Sequence, residues 1–218
     1  MASSLTQPDA AEAERATALM QALGNQYGML QSARGATISE SSSRSSLYLT
    51  SLTGAVVGLS FVAQGTRFGE TFLIFALAIL PVVFFLGVVT YYRLLQTGVE
   101  DVLYARAISK IQNFFSEIDP AHRDLFSAST VDQVGLRRMG LFALRWQQFL
   151  SSAATIAIVN SVVAGVFVAL TVAYATQTEP LVAIAVGVAA AAIIAGAFLR
   201  YQWATWMRVA KAVPVVLD

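Results

Sequence analysis

Few residues in this chain of 218 residues have side chains whose types and spacing could support chemistry. The only histidine, His122, lies near Asp119, Asp124 and Ser127, which are the residue types of a serine hydrolase. These residues are crowded into one short polar segment without a nucleophile-elbow sequence, so a solvated helix surface explains them better. The absence of cysteine excludes thiolate metal sites and cysteine nucleophiles. The sequence therefore predicts no enzyme activity, no catalytic residue, no cofactor and no metal site.

Asn160 is the most unusual polar residue, because it lies inside the apolar run "AIVNSVVAGV". Small residues recur at every fourth position around it, and such rows let helices approach closely in a membrane. An asparagine beside them typically hydrogen-bonds across the contact for about 0.6 to 2 kcal/mol. The amide is interpreted either as a helix-packing contact or as part of a pore lining. The candidate packing or pore-lining residues are Asn160, Ser161, Gly165, Gly54, Gly58 and Gly187.

Four apolar segments must position these residues. Only 12% of the chain is charged and 56% is hydrophobic, whereas a soluble domain has about a quarter of its residues charged. Each segment lacks Asp, Glu, Lys, Arg and His and approaches the roughly 20 residues that cross a bilayer. The apolar segments are Leu47–Ala63, Thr71–Tyr92, Leu150–Tyr174 and Leu181–Leu199. We expect an all-α polytopic membrane protein with four transmembrane helices in two hairpins and a helical cytoplasmic layer.

The basic residues predict the orientation of these helices. All but one of the 14 Lys and Arg residues lie before the first apolar segment, between the second and third, or after the fourth. The positive-inside rule then predicts a multi-pass protein of the bacterial cytoplasmic membrane with both termini in the cytoplasm. Three charges remain at the outer mouth, where we expect a local ion pair rather than a site that attracts ions. They are Arg67, Glu70 and Glu179.

The polar parts of the chain are predicted to form cytoplasmic helices. Leu19, Leu23, Tyr27 and Leu30 recur at helical spacing. The helix that they predict has three possible positions: on the central cytoplasmic segment, on the membrane surface, or on a cytosolic protein partner. The following "SESSSRSS" is either a continuous helix or a flexible linker. The expected divisions are an amphipathic helix and connector (1–45), a first hairpin (46–96), a cytoplasmic helical segment (97–145), a second hairpin (146–208) and a tail (209–218).

Two stretches carry a resemblance to a known group of proteins. From "RSSLYLTSLTGAVVGLSFVAQ" through "FALAILPVVFFLGVVTYYRLLQTGVEDVLYARAISKIQNFF" the chain resembles uncharacterised bacterial four-span integral membrane proteins. A membrane hairpin flanked by cytoplasmic helices is also similar in architecture to the membrane effectors of nucleotide-signalling anti-phage systems. That second likeness implies oligomerisation and permeabilisation of a membrane, but it transfers no site residue.

These features lead to one expected function and two alternatives. Small-residue rows on at least three apolar segments favour a homo-oligomer. We expect a non-enzymatic, channel-like or membrane-permeabilising assembly with cytoplasmic gating helices. The alternatives are a membrane scaffold that recruits a partner through its N-terminal helix, and a small membrane enzyme or transporter subunit. A net charge of +1 with dispersed basic residues gives no indication of nucleic-acid binding.

Overall fold

The computed structural model describes residues 7–119 and 152–212, and these residues are all helical apart from short turns. The helices are α1 (Gln7–Thr66), α2 (Glu70–Ile118), α3 (Ser152–Thr176) and α4 (Pro180–Ala212). All four are long enough and apolar enough to cross a membrane. The predicted all-α class is therefore confirmed for the described residues, with four helices of transmembrane length.

Helix α1 passes through the serine-rich segment without a break. Ser45 Oγ donates to the Ser41 carbonyl oxygen at 3.0 Å, so its hydroxyl is satisfied within the helix. Arg44 and Glu40 form an ion pair at 2.8 Å one turn apart, a spacing that supports isolated helices. No proline or glycine lies between residues 36 and 53 to interrupt the helix. Of the two interpretations of this segment, the structure therefore shows the continuous helix.

The described residues fall into two compact units. The first contains residues 7–38 of α1 and 100–119 of α2. Within it, Arg34 pairs with Asp101 at 2.7 Å, and Gln112 Nε2 donates to the Tyr27 hydroxyl at 3.3 Å. Contact positions fall along α1 as they rise along α2, so the two segments run antiparallel. The N-terminal segment thus packs on the central segment, as one of its three possible positions requires.

The second unit contains residues 39–99 and 152–212. Its buried core draws on all four helices and consists mainly of aliphatic and aromatic side chains. The buried residues at its centre are Tyr48, Ala76, Leu80, Val83, Tyr91, Leu94, Leu95, Ala153, Ile156, Ala157 and Val163, with Phe198 and Trp206 packed against them. The core therefore holds α1, α2, α3 and α4 together at the apolar segments.

Tyr91 joins α2 to α4 at the end of the second apolar segment. Its side chain is fully buried, and its hydroxyl donates to the Phe198 carbonyl oxygen at 2.7 Å. The rings of Tyr91 and Phe198 also pack with centroids 4.6 Å apart. About two turns further along both helices, the Trp206 ring would lie 3.6 Å from a Cβ placed on Gly98, so the close contact continues.

Tyr91→Phe is expected to lower the free energy of unfolding by about 1 kcal/mol, because it removes one net hydrogen bond and keeps the ring. Tyr92→Phe is the matched control, since Tyr92 is adjacent but 42% exposed and should change stability little. Unfolding in detergent micelles, followed by circular dichroism, measures both variants. Equal losses in the two variants would contradict the contact.

Candidate functional site

Asn160 lies where α1, α2 and α3 meet, and its side chain is fully buried. The Tyr48 hydroxyl of α1 donates to Asn160 Oδ1 at 3.2 Å. Asn160 Nδ2 donates to the Phe84 carbonyl oxygen of α2 at 3.1 Å. A carbonyl oxygen has two lone pairs, so Phe84 can accept this proton and keep its helical hydrogen bond. The geometry supports helix packing, because a fully buried amide has no free surface with which to line a pore.

Gly87 provides the space that this amide occupies. A Cβ placed on Gly87 would overlap the Asn160 amide group and would lie 2.8 Å from Cε2 of the Tyr48 ring. Real Cβ atoms do not approach other atoms so closely, so α2 needs glycine at this position. The candidate site is therefore a four-residue contact, which we call the amide junction: Tyr48, Phe84, Gly87 and Asn160.

A second close contact joins α3 to α4. A Cβ on either Gly165 or Gly187 would lie 2.6 Å from the carbonyl oxygen of the other glycine. Ala169 and Ala191 lie beside them, with Cβ atoms 2.7 and 2.8 Å from those same positions. Ser161, which is 1% exposed, donates to the Ala157 carbonyl oxygen of its own helix at 2.7 Å. This part of the small-residue pattern thus lies within the chain, between two of its own helices.

Gly54 and Gly58 differ from these two glycines. No atom within 4 Å would meet a Cβ on Gly54, and on Gly58 only the Phe75 ring would lie as near as 4.0 Å. A side chain at either position would therefore meet ordinary contact or open space. Gly54 and Gly58 therefore make no close helix crossing within the described part of the chain.

Helix α1 carries a row of small polar side chains on the side opposite Tyr48. They recur at spacings of three and four residues, or seven where Val57 interrupts them, and fall within about 80° of one another around the helix. All of them are exposed. We call this row the polar face of α1: Ser39, Ser42, Ser46, Thr50, Thr53, Ser60 and Gln64.

The three outer charges lie in or beside the turns between helices. Arg67 has a φ of 50°, in the left-handed region, where α1 ends. The Glu179 carbonyl oxygen accepts from the Val182 amide at 3.0 Å as α4 begins. Among the described residues, Arg67, Glu70 and Glu179 form no ion pair. The expected local ion pair is therefore not formed in that part of the chain.

Glu40 joins α1 to α2 just before the first apolar segment. Its Oε1 accepts from Arg93 Nη2 at 2.6 Å and from Arg44 Nε at 2.8 Å. The hydrogen bond from Arg93, followed by that from Arg44, holds the pKa of the Glu40 carboxyl below its usual value. One carboxylate thus pairs with two guanidinium groups, an arrangement that was not predicted from the sequence.

Several predicted residues lie outside the described part of the chain. His122, Asp124 and Ser127 are among them, and so are the basic residues that precede the third apolar segment. Asp119 is the last described residue of its segment. In the described ranges no group of three His, Asp or Glu side chains is placed to hold a metal ion.

Gly87→Ala is expected to lower the free energy of unfolding by about 1 to 3 kcal/mol, because the added methyl overpacks the amide junction. Gly54→Ala, which adds the same methyl into open space, should be neutral or stabilising by up to about 1 kcal/mol, since alanine favours helix. Both values come from unfolding in detergent. The double variant Gly87→Ala, Asn160→Ala should recover part of the loss, and a loss in the double variant equal to the sum of the single losses would contradict the overlap.

Glu40→Gln is expected to remove a pH-dependent part of the stability. Because the folded-state pKa of Glu40 is lowered, its contribution is present above the ordinary glutamate pKa and is lost as pH falls through the folded value. The stability difference between wild type and Glu40→Gln should therefore shrink as pH falls below about 4.5. Glu14→Gln, which removes an exposed carboxylate from α1, is the control. A difference that stays constant down to pH 2.5 would contradict the ion pair.

No protein-family model, curated protein or solved structure matches this chain. Its function therefore has to be argued from its own geometry. That geometry consists of a buried amide junction among three helices, a glycine crossing between α3 and α4, and an exposed polar face on α1.

Proposed function

We propose that the chain is a non-enzymatic, homo-oligomeric protein of the bacterial cytoplasmic membrane that forms a channel-like, membrane-permeabilising assembly. Both termini lie in the cytoplasm, and the polar face of α1 lines the pore. The observation that carries this proposal is the exposure of three residues of that face, Thr50, Thr53 and Ser60, within an apolar segment otherwise suited to lipid.

Placement in a membrane is supported by the surface of the second unit. Large apolar side chains are widely exposed there, including Phe61 at 70%, Phe85 at 69%, Leu181 at 76% and Ile193 at 72%. Contiguous apolar surface of this kind is rare on soluble monomers. Lipid tails would cover it at no cost in hydrogen bonds.

The polar face of α1 does not suit the same lipid. The Thr53 hydroxyl donates a hydrogen bond to the Leu49 carbonyl oxygen, and the Ser60 hydroxyl donates to the Val56 carbonyl oxygen, each at 2.8 Å. The Gln64 amide is exposed and, with two donor protons and one acceptor oxygen, would be costly to leave unpaired in hydrocarbon. A helix that faces its own core on one side and carries hydroxyls and an amide on the other is suited to water or to another copy of itself.

A pore lined by this face would conduct without selecting by charge. No Asp, Glu, Lys, Arg or His occurs between residues 45 and 66 of α1. Selection would depend on pore width and on hydroxyl and amide groups. Helices α1 and α2 both continue without a break from an apolar segment into the first unit, which gives the assembly cytoplasmic helices through which a signal could gate it.

The scaffold alternative has less support from the N-terminal segment. Leu19, Met29 and Ile38 are exposed there, at 50%, 71% and 55%. At 3.6 residues per turn, Met29 lies about 80° from Leu19 and about 180° from Ile38. These side chains therefore do not share one face with which to bind a partner.

Single-cysteine scanning tests the proposal, because the chain has no cysteine of its own. In liposomes containing the reconstituted protein, Thr53→Cys and Ser60→Cys should react with a charged, water-soluble thiol reagent, and the reaction should reduce solute flux at least several-fold. Ile193→Cys, exposed on α4, should face lipid and remain unmodified. The readouts are the extent of labelling by mass spectrometry and the release of an entrapped dye.

Two results would contradict the proposal. One is a stable monomer in detergent that conducts no solute after reconstitution. The other is flux that persists unchanged when both polar-face cysteines are fully modified, since the pore would then lie elsewhere.

A further inference from the structure

The last turns of α4 present basic residues on one exposed face. Arg200, Arg208 and Lys211 are exposed and lie within about 80° of one another around the helix. The opposite side of α4 is directed inward: Gln202 is 2% exposed, and Trp206 packs against the core of the second unit. The basic residues thus share the side of α4 that its own chain does not cover.

These cations are not neutralised within the described part of the chain. Residues 180–212 contain no acidic residue, and none of the three enters an ion pair there. Among the described residues, Arg44 and Arg93 lie beside the same end of the apolar segments but differ, because both bind Glu40. The α4 face therefore holds positive charge that no acidic side chain of the described residues neutralises.

The Arg208 side chain is directed back towards the end of the fourth apolar segment. Arg208 Nε donates to the Ala204 carbonyl oxygen at 3.3 Å, and its Nη2 donates to Thr205 Oγ1 at 3.3 Å. The guanidinium group thus lies one turn back towards Arg200. This displacement of the Arg208 guanidinium by one helical turn is about 5.4 Å along the axis. It is close to the thickness of the headgroup layer on one side of a bilayer.

Aromatic residues flank the same face. Tyr201 and Trp203 are 43% and 44% exposed. Exposed aromatic rings of this type are enriched at the level of lipid headgroups. Their position fixes the face at the membrane boundary once α4 crosses the bilayer.

We propose that this face, formed by Arg200, Ala204, Arg208 and Lys211 with Tyr201 and Trp203 at its edges, binds anionic phospholipid headgroups of the cytoplasmic leaflet. The inference rests on the proposed membrane placement and orientation, and it adds a ligand class that the pore does not require. Three basic residues are fewer than the four to eight that recognise one particular headgroup. The face therefore selects negative charge in general, with phosphatidylglycerol as a representative ligand.

Native mass spectrometry of the full chain, delipidated in detergent and supplied with equal amounts of phosphatidylglycerol and phosphatidylcholine, measures this preference. Each basic residue near an anionic surface contributes roughly a fivefold factor in affinity. Wild type should therefore retain phosphatidylglycerol preferentially, and the triple variant Arg200→Gln, Arg208→Gln, Lys211→Gln should lose most of that preference. The charge-preserving variant Arg200→Lys, Arg208→Lys should keep it, and so should Arg67→Gln, which removes a basic residue at the other end of the helices.

The preference should also fall for wild type as salt is raised from 0.1 to 0.5 M, a test that needs no variant to fold. Equal retention of both lipids by wild type, or a preference that survives in the folded triple variant, would overturn the inference. The assay reads lipid retention and not flux. A chain that conducts without preferring phosphatidylglycerol would refute the lipid site alone, and one that binds phosphatidylglycerol without conducting would refute the pore alone.

Discussion

The Asn160 amide must be hydrogen-bonded wherever it is buried, because an unpaired amide in an apolar environment costs several kcal/mol. Its acceptor oxygen is used by Tyr48 on α1, and one donor proton is used by the Phe84 carbonyl on α2. These two bonds are satisfied together only when three helices have one axial offset and one rotation. The aliphatic contacts around them favour close packing but tolerate sliding, whereas the amide specifies the arrangement.

The position of Tyr48 in this contact also determines which side of α1 is exposed. Tyr48 turns one face of the helix towards the core, so the hydroxyl-bearing face points away from it. The glycine contacts divide in the same way. Gly87, Gly165 and Gly187 lie in close crossings inside the chain, whereas a Cβ placed on Gly54 would meet no atom within 4 Å. An internal bundle fixed by the amide junction thus presents one polar face outward, and that face supports the proposed assembly.

The sequence predicted the helical class and its four long apolar helices, because apolar runs of this length without charges leave few other structures. It also singled out Asn160 and the small-residue rows, as either helix contacts or a pore lining. It could not identify Tyr48 or the Phe84 carbonyl as the partners, since these lie 112 and 76 residues away along the chain and are brought near only by helix rotation and offset. Gly87 is the one glycine in the second apolar segment and has large side chains on both sides in the sequence. Such a glycine indicates the close approach of another helix, but it belongs to no small-residue row.

The serine-rich segment shows a different limit. Serine is nearly neutral between helix and coil, so composition left both structures open. The helix shows what its residues do: Ser45 bonds back to its own backbone, and Glu40 pairs with Arg44 one turn away. Once the segment is helical, Ser39, Ser42 and Ser46 lie on one face with Thr50, Thr53, Ser60 and Gln64. The spacing of three and four was readable from the sequence, but its exposure required the position of Tyr48.

A double-mutant cycle between Tyr48→Phe and Asn160→Leu tests the amide junction most directly. Phenylalanine lacks only the hydroxyl of tyrosine, and leucine has the branched heavy-atom shape of asparagine, so the cycle isolates the hydrogen bond from the other effects of each substitution. If Tyr48 and Asn160 are bonded as described, the loss of unfolding free energy in the double variant should be smaller than the sum of the two single losses by about 0.6 to 1.7 kcal/mol. Losses that add to within about 0.3 kcal/mol would show that the two residues act independently and would contradict the account.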